Sequence, residues 1–197
     1  MCGRYWLPDE EAGGEIRNMI EELGRRGRKG EKEIKRSGEV FPTDLVPVLA
    51  NNRNMQPAVF AMEWGYTLPD GRRIINARSE TAHEKGMFRD GLKNRRCLIP
   101  AGHYCEWETQ GKEKIRYDIC GSEEEEMYMA GLYRMEGEKA VFTILTRAAA
   151  PDIAFIHERM PVILRGKAKR DWLDLNCDAG EVMKAAETAV RFKQSSL

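Results

Sequence analysis

From Phe41 onward, apolar and polar positions fall into short strand-like runs. These cover Val46 to Ala50, Ala58 to Trp64, Ile74 to Ile75, Cys97 to Ile99, His103 to Trp107, Ile115 to Cys120, Met127 to Tyr133 and Val141 to Thr146. Helical spacing is rarer. Pro8-Asp9 followed by Ile16, Met19, Ile20 and Leu23 predicts an amphipathic helix with an acidic first turn, ending at Gly24. Shorter helices are expected over Met87 to Lys93, Lys167 to Leu175 and Gly180 to Val190. The fold class that follows is α+β, with a curved, barrel-like and mostly antiparallel sheet as the core and short helices around it. Residues 24–38, punctuated by Gly and rich in Lys and Arg, read as a loop, and the acidic run Glu123 to Glu126 as a solvated hairpin turn. Repeats, low-complexity tracts and linkers are absent from the pattern.

A chain of 197 residues and 22.6 kDa suits one domain over 1–197, large enough to bury a core without disulfides or metal. Its 32 basic and 32 acidic side chains cancel, so net charge neither demands nor excludes nucleic acid. Five cysteines (Cys2, Cys97, Cys105, Cys120, Cys177) are an odd number without a CxxC pair, and no His stands at familiar metal-ligand spacing. That argues against a disulfide framework and a zinc site, so the expectation is no metal and no cofactor. Such cysteine usage fits a reducing cytoplasm. No apolar run approaches the about 20 residues that span a bilayer, so no membrane association is expected.

The opening Met1-Cys2-Gly3-Arg4 places a cysteine directly behind the initiator. If Met1 is removed, Cys2 carries a thiol with an ordinary pKa of about 8.5 beside an α-amine near about 7.7–8.0. Such a residue can attack a carbonyl through sulfur, form a Schiff base through nitrogen, or do both and close a thiazolidine ring on an aldehyde. From position alone, a packed and inert Cys2 is an equal alternative. Three further segments carry polar residues unexpected for strands: 76–81 (NARSET), 102–107 (GHYCEW) and 157–161 (HERMP). Alternation places Tyr104 and Glu106 on one face of a strand, and His103, Cys105 and Trp107 on the other. Glu106 is then either a surface carboxylate or an interior one whose pKa is raised by burial. His157 is a candidate acid or base, or else a hydrogen-bonded loop residue, and Asn76 either orients a reacting oxygen or holds a turn.

Taken together, MCGRY at the start, FPTDLVPV around Pro42, the Trp64-Gly65 pair, INARSET at 75–81, RRCLIPAGHYCEW at 95–107, LTRAA at 145–149 and HERMPVIL at 157–164 resemble the SOS response-associated peptidase (SRAP) family. The matches span most of the chain in the family's order. The resemblance implies recognition of abasic sites in single-stranded DNA by a monomer, in the cytoplasm and at the nucleoid when DNA-bound. It implies a covalent crosslink in which the Cys2 amine attacks the C1′ aldehyde of the opened sugar and the thiol then closes a thiazolidine. Carried over by position, Glu106 assists ring opening and proton transfer, His157 acts as acid or base at the imine, and Asn76 holds the substrate oxygen. Arg4, Arg78 and Arg159 contact phosphates, with Thr146 and Pro42 lining the path. The sequence also departs from the family. YTLPDGRRI after Trp64-Gly65 lacks the tryptophan insertion of many members, leaving Arg72 and Arg73 to replace stacking with charge, and Glu39 stands where relatives often have Asn. Two other readings are an N-terminal-nucleophile amidohydrolase or peptidase and a noncatalytic single-stranded DNA-binding module.

Overall fold

The computed structural model describes residues 2–8, 14–26, 33–121 and 127–195. Met1, the acidic turn at 9–13, the loop segment 27–32 and the acidic run with its expected hairpin turn lie outside the described residues. The chain begins with β1 (Tyr5–Leu7), α1 (Gly14–Arg26), β2 (Gly38–Val40), β3 (Leu45–Asn51), β4 (Pro57–Trp64), β5 (Tyr66–Thr67), β6 (Arg73–Ile74) and β7 (Asn76–Arg78). Next come α2 (Gly86–Asn94), β8 (Arg96–Ala101), β9 (His103–Gln110), β10 (Glu113–Gly121), β11 (Met127–Glu136) and β12 (Lys139–Ala148). A 3-10 turn at Pro151–Ile153, β13 (Arg159–Pro161), β14 (Ile163–Leu164), α3 (Gly166–Leu173), α4 (Ala179–Lys184) and β15 (Val190–Ser195) complete it.

The order β12-β4-β3-β8-β11 returns to β12 and closes a five-stranded barrel. All its pairings are antiparallel except β4 with β12. The expected α+β barrel is therefore present. Closure requires close approach of backbones at Gly131, where β11 lies between β8 and β12. A Cβ there would meet Thr143 O at 2.9 Å and collide with Ile99 Cδ1. A second sheet runs β15-β10-β9-β1-β2, and β7 adds in parallel to β12. Helix α1 turns Ile16, Met19 and Leu23 into the core against β3 and β4, following the spacing of the apolar residues.

Two helical expectations need correction. Helix α1 runs through Gly24 to Arg26, because one glycine costs only about 1 kcal/mol in a helix. The helix expected over 180–190 stops at Lys184, having been started by the Asp178 side chain accepting from Glu181 N at 2.9 Å. Beyond it, Glu187 N donates to Ile163 O at 2.9 Å and the Glu187 carboxylate pairs with Arg165 at 2.8 Å. These tertiary bonds pull the chain straight, and Val190–Ser195 then pairs with the edge of β10 as β15.

Candidate active site

The barrel fixes the site from one side. Trp64 is fully buried, and its indole Nε1 donates to Ile75 O at 3.0 Å, while Ile144 N donates to the same oxygen at 3.0 Å. Residue 65 after it has φ +111°, a conformation that favours glycine, and Gly65 N donates to Phe142 O at 2.8 Å. The Trp64-Gly65 pair therefore anchors Ile75, which sets the start of β7. From there the Asn76 amide Nδ2 donates to Cys2 O at 2.8 Å, tying the beginning of the chain to the barrel. The other amide atom, Asn76 Oδ1, is buried and without a hydrogen-bond partner among the described residues.

The second sheet supplies the opposite wall. Tyr104 and Glu106 share a face of β9, pairing with Tyr5 and Tyr117 respectively. Glu106 is 4 % exposed, so of the two readings open for it the structure takes the interior one. Cys2 is 0 % exposed, with Sγ 3.8 Å from Arg4 O. Burial pushes the Cys2 thiol well above its ordinary range, and the negative charge of Glu106 adds to this. Burial likewise raises Glu106, opposed by the charge of His157. The site therefore holds a protonated thiol beside a carboxyl whose pKa burial shifts upward. Arg159 N donates to His157 Nδ1 at 2.9 Å, so Nδ1 is the acceptor and the neutral ring carries its proton on Nε2.

Two tyrosines join the site, Tyr5 and Tyr104, of which Tyr104 was expected only to share the strand face of Glu106. Both are fully buried with hydroxyls lacking a hydrogen-bond partner among the described residues. Burial raises both phenols, with the Cys2 thiol the next contribution in each case. They are neutral donors beside Cys2, and their aromatic character read only as strand propensity.

The residues expected to hold a strand divide into different environments. Arg4 lies on the other face of the second sheet, its guanidinium 4.7 Å from the Phe41 ring centroid and 4.9 Å from that of Trp107. Glu39 bridges Arg4 at 3.6 Å and Arg116 at 2.8 Å. Pro42 is half-buried and precedes Thr43, whose φ of +76° is a strained value for a β-branched residue. That turn is held by Thr43 N on Trp64 O at 2.9 Å and Phe41 N on Asp44 Oδ2 at 2.9 Å. Arg78 is exposed. Arg159 instead makes a two-pronged pair with Glu80, both contacts at 2.8 Å, which holds the Glu80 carboxyl down at about 2. Glu80 lies within the INARSET segment, but only the fold shows its partner. Thr146 is fully buried and its hydroxyl donates to Ala77 O at 3.4 Å. It therefore supports Arg159, which donates to Thr146 O at 2.7 Å, rather than presenting its own side chain on a surface. Arg73 is engaged by Glu63 at 2.7 Å and by Gly65 O at 2.9 Å, and Arg72 pairs with Asp70 at 2.7 Å. Of the two arginines considered as substitutes for a stacking insertion, Arg72 alone keeps a largely exposed side chain.

Solved structures share this architecture. A protein from Bacteroides thetaiotaomicron superposes with a TM-score of 0.77 at 20% identity, covering 99% of this chain and 92% of that one. A phage-related protein from Bordetella bronchiseptica does so with 0.75 at 23% identity, covering 100% and 95%. Among sequences, the abasic site processing protein YobE of Bacillus subtilis is 32% identical over 186 residues, 88% of this chain and 82% of that protein. The abasic site processing protein HMCES of Gallus gallus is 29% identical over 222 aligned positions, 88% of this chain and 66% of its own. Residues 1–195 match the family described as SOS response associated peptidase (SRAP), and the chain belongs to that family.

Proposed function

We propose that this protein processes abasic sites by trapping the open-chain sugar in single-stranded DNA on Cys2. The similarity to proteins named for abasic site processing supports the substrate class. The observation that carries the chemistry is the buried carboxyl of Glu106 acting on a fully buried Cys2 whose carbonyl is fixed by Asn76. Once Met1 is removed, the Cys2 amine adds to the C1′ aldehyde to give a carbinolamine. Glu106, whose pKa burial raises, donates a proton as water leaves and takes up the proton that the nitrogen gives up, so that a neutral imine remains. The thiol then adds to the imine carbon, its proton passes to nitrogen, and the thiazolidine ring closes. His157 exchanges protons with the imine nitrogen in closure and reversal. The spare Asn76 Oδ1 accepts from a sugar hydroxyl. Arg4, Arg78 and Arg159 engage phosphates on either side, Arg159 by exchanging Glu80 for phosphate.

This order, amine first and sulfur second, follows from the raised thiol. A cysteine amidohydrolase needs a thiolate as its first nucleophile, which burial and Glu106 both oppose. A noncatalytic DNA-binding module would have no use for the Cys2, Glu106 and His157 arrangement. The test is intact mass before and after incubation with a single-stranded oligonucleotide bearing one abasic site. Loss of Met1 and a heat-stable one-to-one adduct that Cys2→Ala abolishes, with noncovalent affinity retained, are expected. A processed protein that forms no adduct, or a Cys2→Ala variant that still crosslinks, refutes the reading.

A further inference from the structure

On the face of β9 opposite Glu106, we propose a binding site for a zinc-class divalent cation formed by His103, Cys105 and Asp118. The sequence conceals it because its ligands follow strand geometry rather than CxxC spacing. His103 and Cys105 are two apart on β9 and so share a face, and Asp118 on β10 lies directly across from Cys105. One donor atom from each of the three lies within 4.8 Å of the others. Asp118 Oδ1 is 3.6 Å from His103 Nε2 and 3.7 Å from Cys105 Sγ. Zinc bonds of about 2.0–2.3 Å place neighbouring ligand atoms of a tetrahedral shell about 3.3–3.7 Å apart, so these two edges already have the required length.

The surroundings favour a ligand. His103 Nε2 is buried without a hydrogen-bond partner among the described residues, and Trp6 stacks on its ring at 5.8 Å with planes 12° apart, fixing the ring's orientation. A cavity of about 230 Å³ opens beside His103 and Asp118. Cys120, two residues beyond Asp118, also lines it, leaving a fourth position for that thiol or for water. Arg116 now donates to Cys105 Sγ at 3.1 Å and to Asp118 Oδ1 at 3.2 Å. Its ion pair with Glu39 at 2.8 Å gives it a place to remain when a cation displaces it from sulfur. Lys193, opposite Asp118 on β15, and Arg191, which lines the same cavity, are further cations an incoming ion meets. Imidazole, thiolate and carboxylate together suit zinc rather than the all-oxygen preference of magnesium or calcium. Binding breaks the Cys105 S–H bond, forms a sulfur–metal bond and releases the proton to solvent. The ion then staples β9 to β10 directly behind Glu106.

The site does not depend on the abasic-site reading and is tested without DNA. Reduced, metal-stripped protein is titrated with Co²⁺ and then Zn²⁺, following thiolate-to-cobalt charge-transfer absorption and thermal melting. One equivalent of Co²⁺ giving that band, its displacement by Zn²⁺ and a rise in Tm of several degrees are expected. Cys2→Ala should bind equally, while His103→Gln and Cys105→Ser should weaken binding at least about tenfold. Asp118→Asn provides a further ligand variant should either of these fail to fold. Absence of the thiolate band in the wild type, unchanged binding in the ligand variants, or loss of binding in Cys2→Ala would each overturn the proposal, the last by placing the ion in the active cleft.

Discussion

Replacing Glu106 with Gln should make the protein more stable and less active, a pairing of signs that an ordinary packing residue cannot produce. The carboxyl is 4 % exposed, and burial raises its pKa. In the unfolded chain it titrates near about 4.3. Below that pH both states hold the proton, and its ionisation costs the fold nothing. As pH rises, the unfolded chain ionises first while the native state keeps its proton, so stability falls until the native carboxyl ionises as well. Each pH unit between the two titrations removes about 1.4 kcal/mol. For a chain of this size that corresponds to about 3–6 °C in Tm. The amide of the variant has the same shape as the carboxyl and suffers no such loss. Melting curves for the two proteins should therefore coincide near pH 4, separate as pH rises with Glu106→Gln the more stable, and run parallel above the native titration. Crosslinking to an abasic oligonucleotide should slow by about 10²–10⁴-fold at neutral pH, since the amide cannot donate the acidic proton. Coincident melting at every pH would refute the burial argument. An unchanged crosslinking rate would remove Glu106 from the chemistry.

Glu80→Gln should release Arg159 for phosphate. In a Cys2→Ala background, affinity for single-stranded DNA should rise by up to about fivefold, because Arg159 no longer has to leave an exposed pair worth up to about 1 kcal/mol, and an unaltered affinity would show that Arg159 does not meet the strand. The same substitution should lower stability by no more than about 1 kcal/mol, because the Glu80 side chain is 48% exposed. With the Glu80 pKa lowered to about 2, that contribution is present above about pH 4.5 and disappears as pH falls toward 2, which an acid titration of Tm will follow. Gly131→Ala should destabilise by about 1–3 kcal/mol in chemical denaturation by forcing β8, β11 and β12 apart, and a neutral result would mean that the barrel relaxes freely. Trp64→Phe removes one of the two bonds on Ile75 O, which keeps its bond from Ile144 N, and should cost about 0.5–1.5 kcal/mol. Its crosslinking rate, measured where the variant is fully folded, should fall as well because Asn76 shifts with Ile75, and an unchanged rate would separate Trp64 from the site.

The barrel was legible because its strands have long, mostly apolar cores. Leu45–Asn51 and Met127–Glu136 bury consecutive positions on both faces, as barrel strands do where helices cover the outside. Strand β15 was not legible. Four of its six residues are exposed, its ordering comes from backbone bonds to β10, and the preceding Ala- and Glu-rich stretch favours helix until Glu187 is captured by Ile163. At the site, alternation alone put Glu106 and His103 on opposite faces of β9, and the structure keeps that division. The pairing of Arg159 with Glu80 was hidden because it joins residues 79 apart in the chain. The burial of Thr146 was hidden because a strand residue's depth depends on what covers it, here β7 and Arg159.

Under the proposed function, strand β9 separates two tasks that one surface would confuse. Its inner face carries Tyr104 and Glu106 beside Cys2, where low polarity raises a carboxyl and a thiol together. Its outer face carries Trp107, against which Arg4 stacks, with Glu39 and Arg116 balancing charge. A phosphate contact at Arg4 needs solvent and displacement of its Glu39 partner, whereas proton donation from Glu106 needs water to be excluded. Placed on one face, the Arg4 charge would lower the Glu106 pKa and remove its acid. The period of two in a β-strand keeps them apart while Cys2, two residues from Arg4, reaches around to the inner side under the hold of Asn76. Substitutions on the outer face should thus alter strand affinity and its salt dependence, and those on the inner face the rate of adduct formation at saturating DNA. Arg4→Ala slowing adduct formation at saturating DNA as much as Glu106→Gln does would show that the two faces do not act separately.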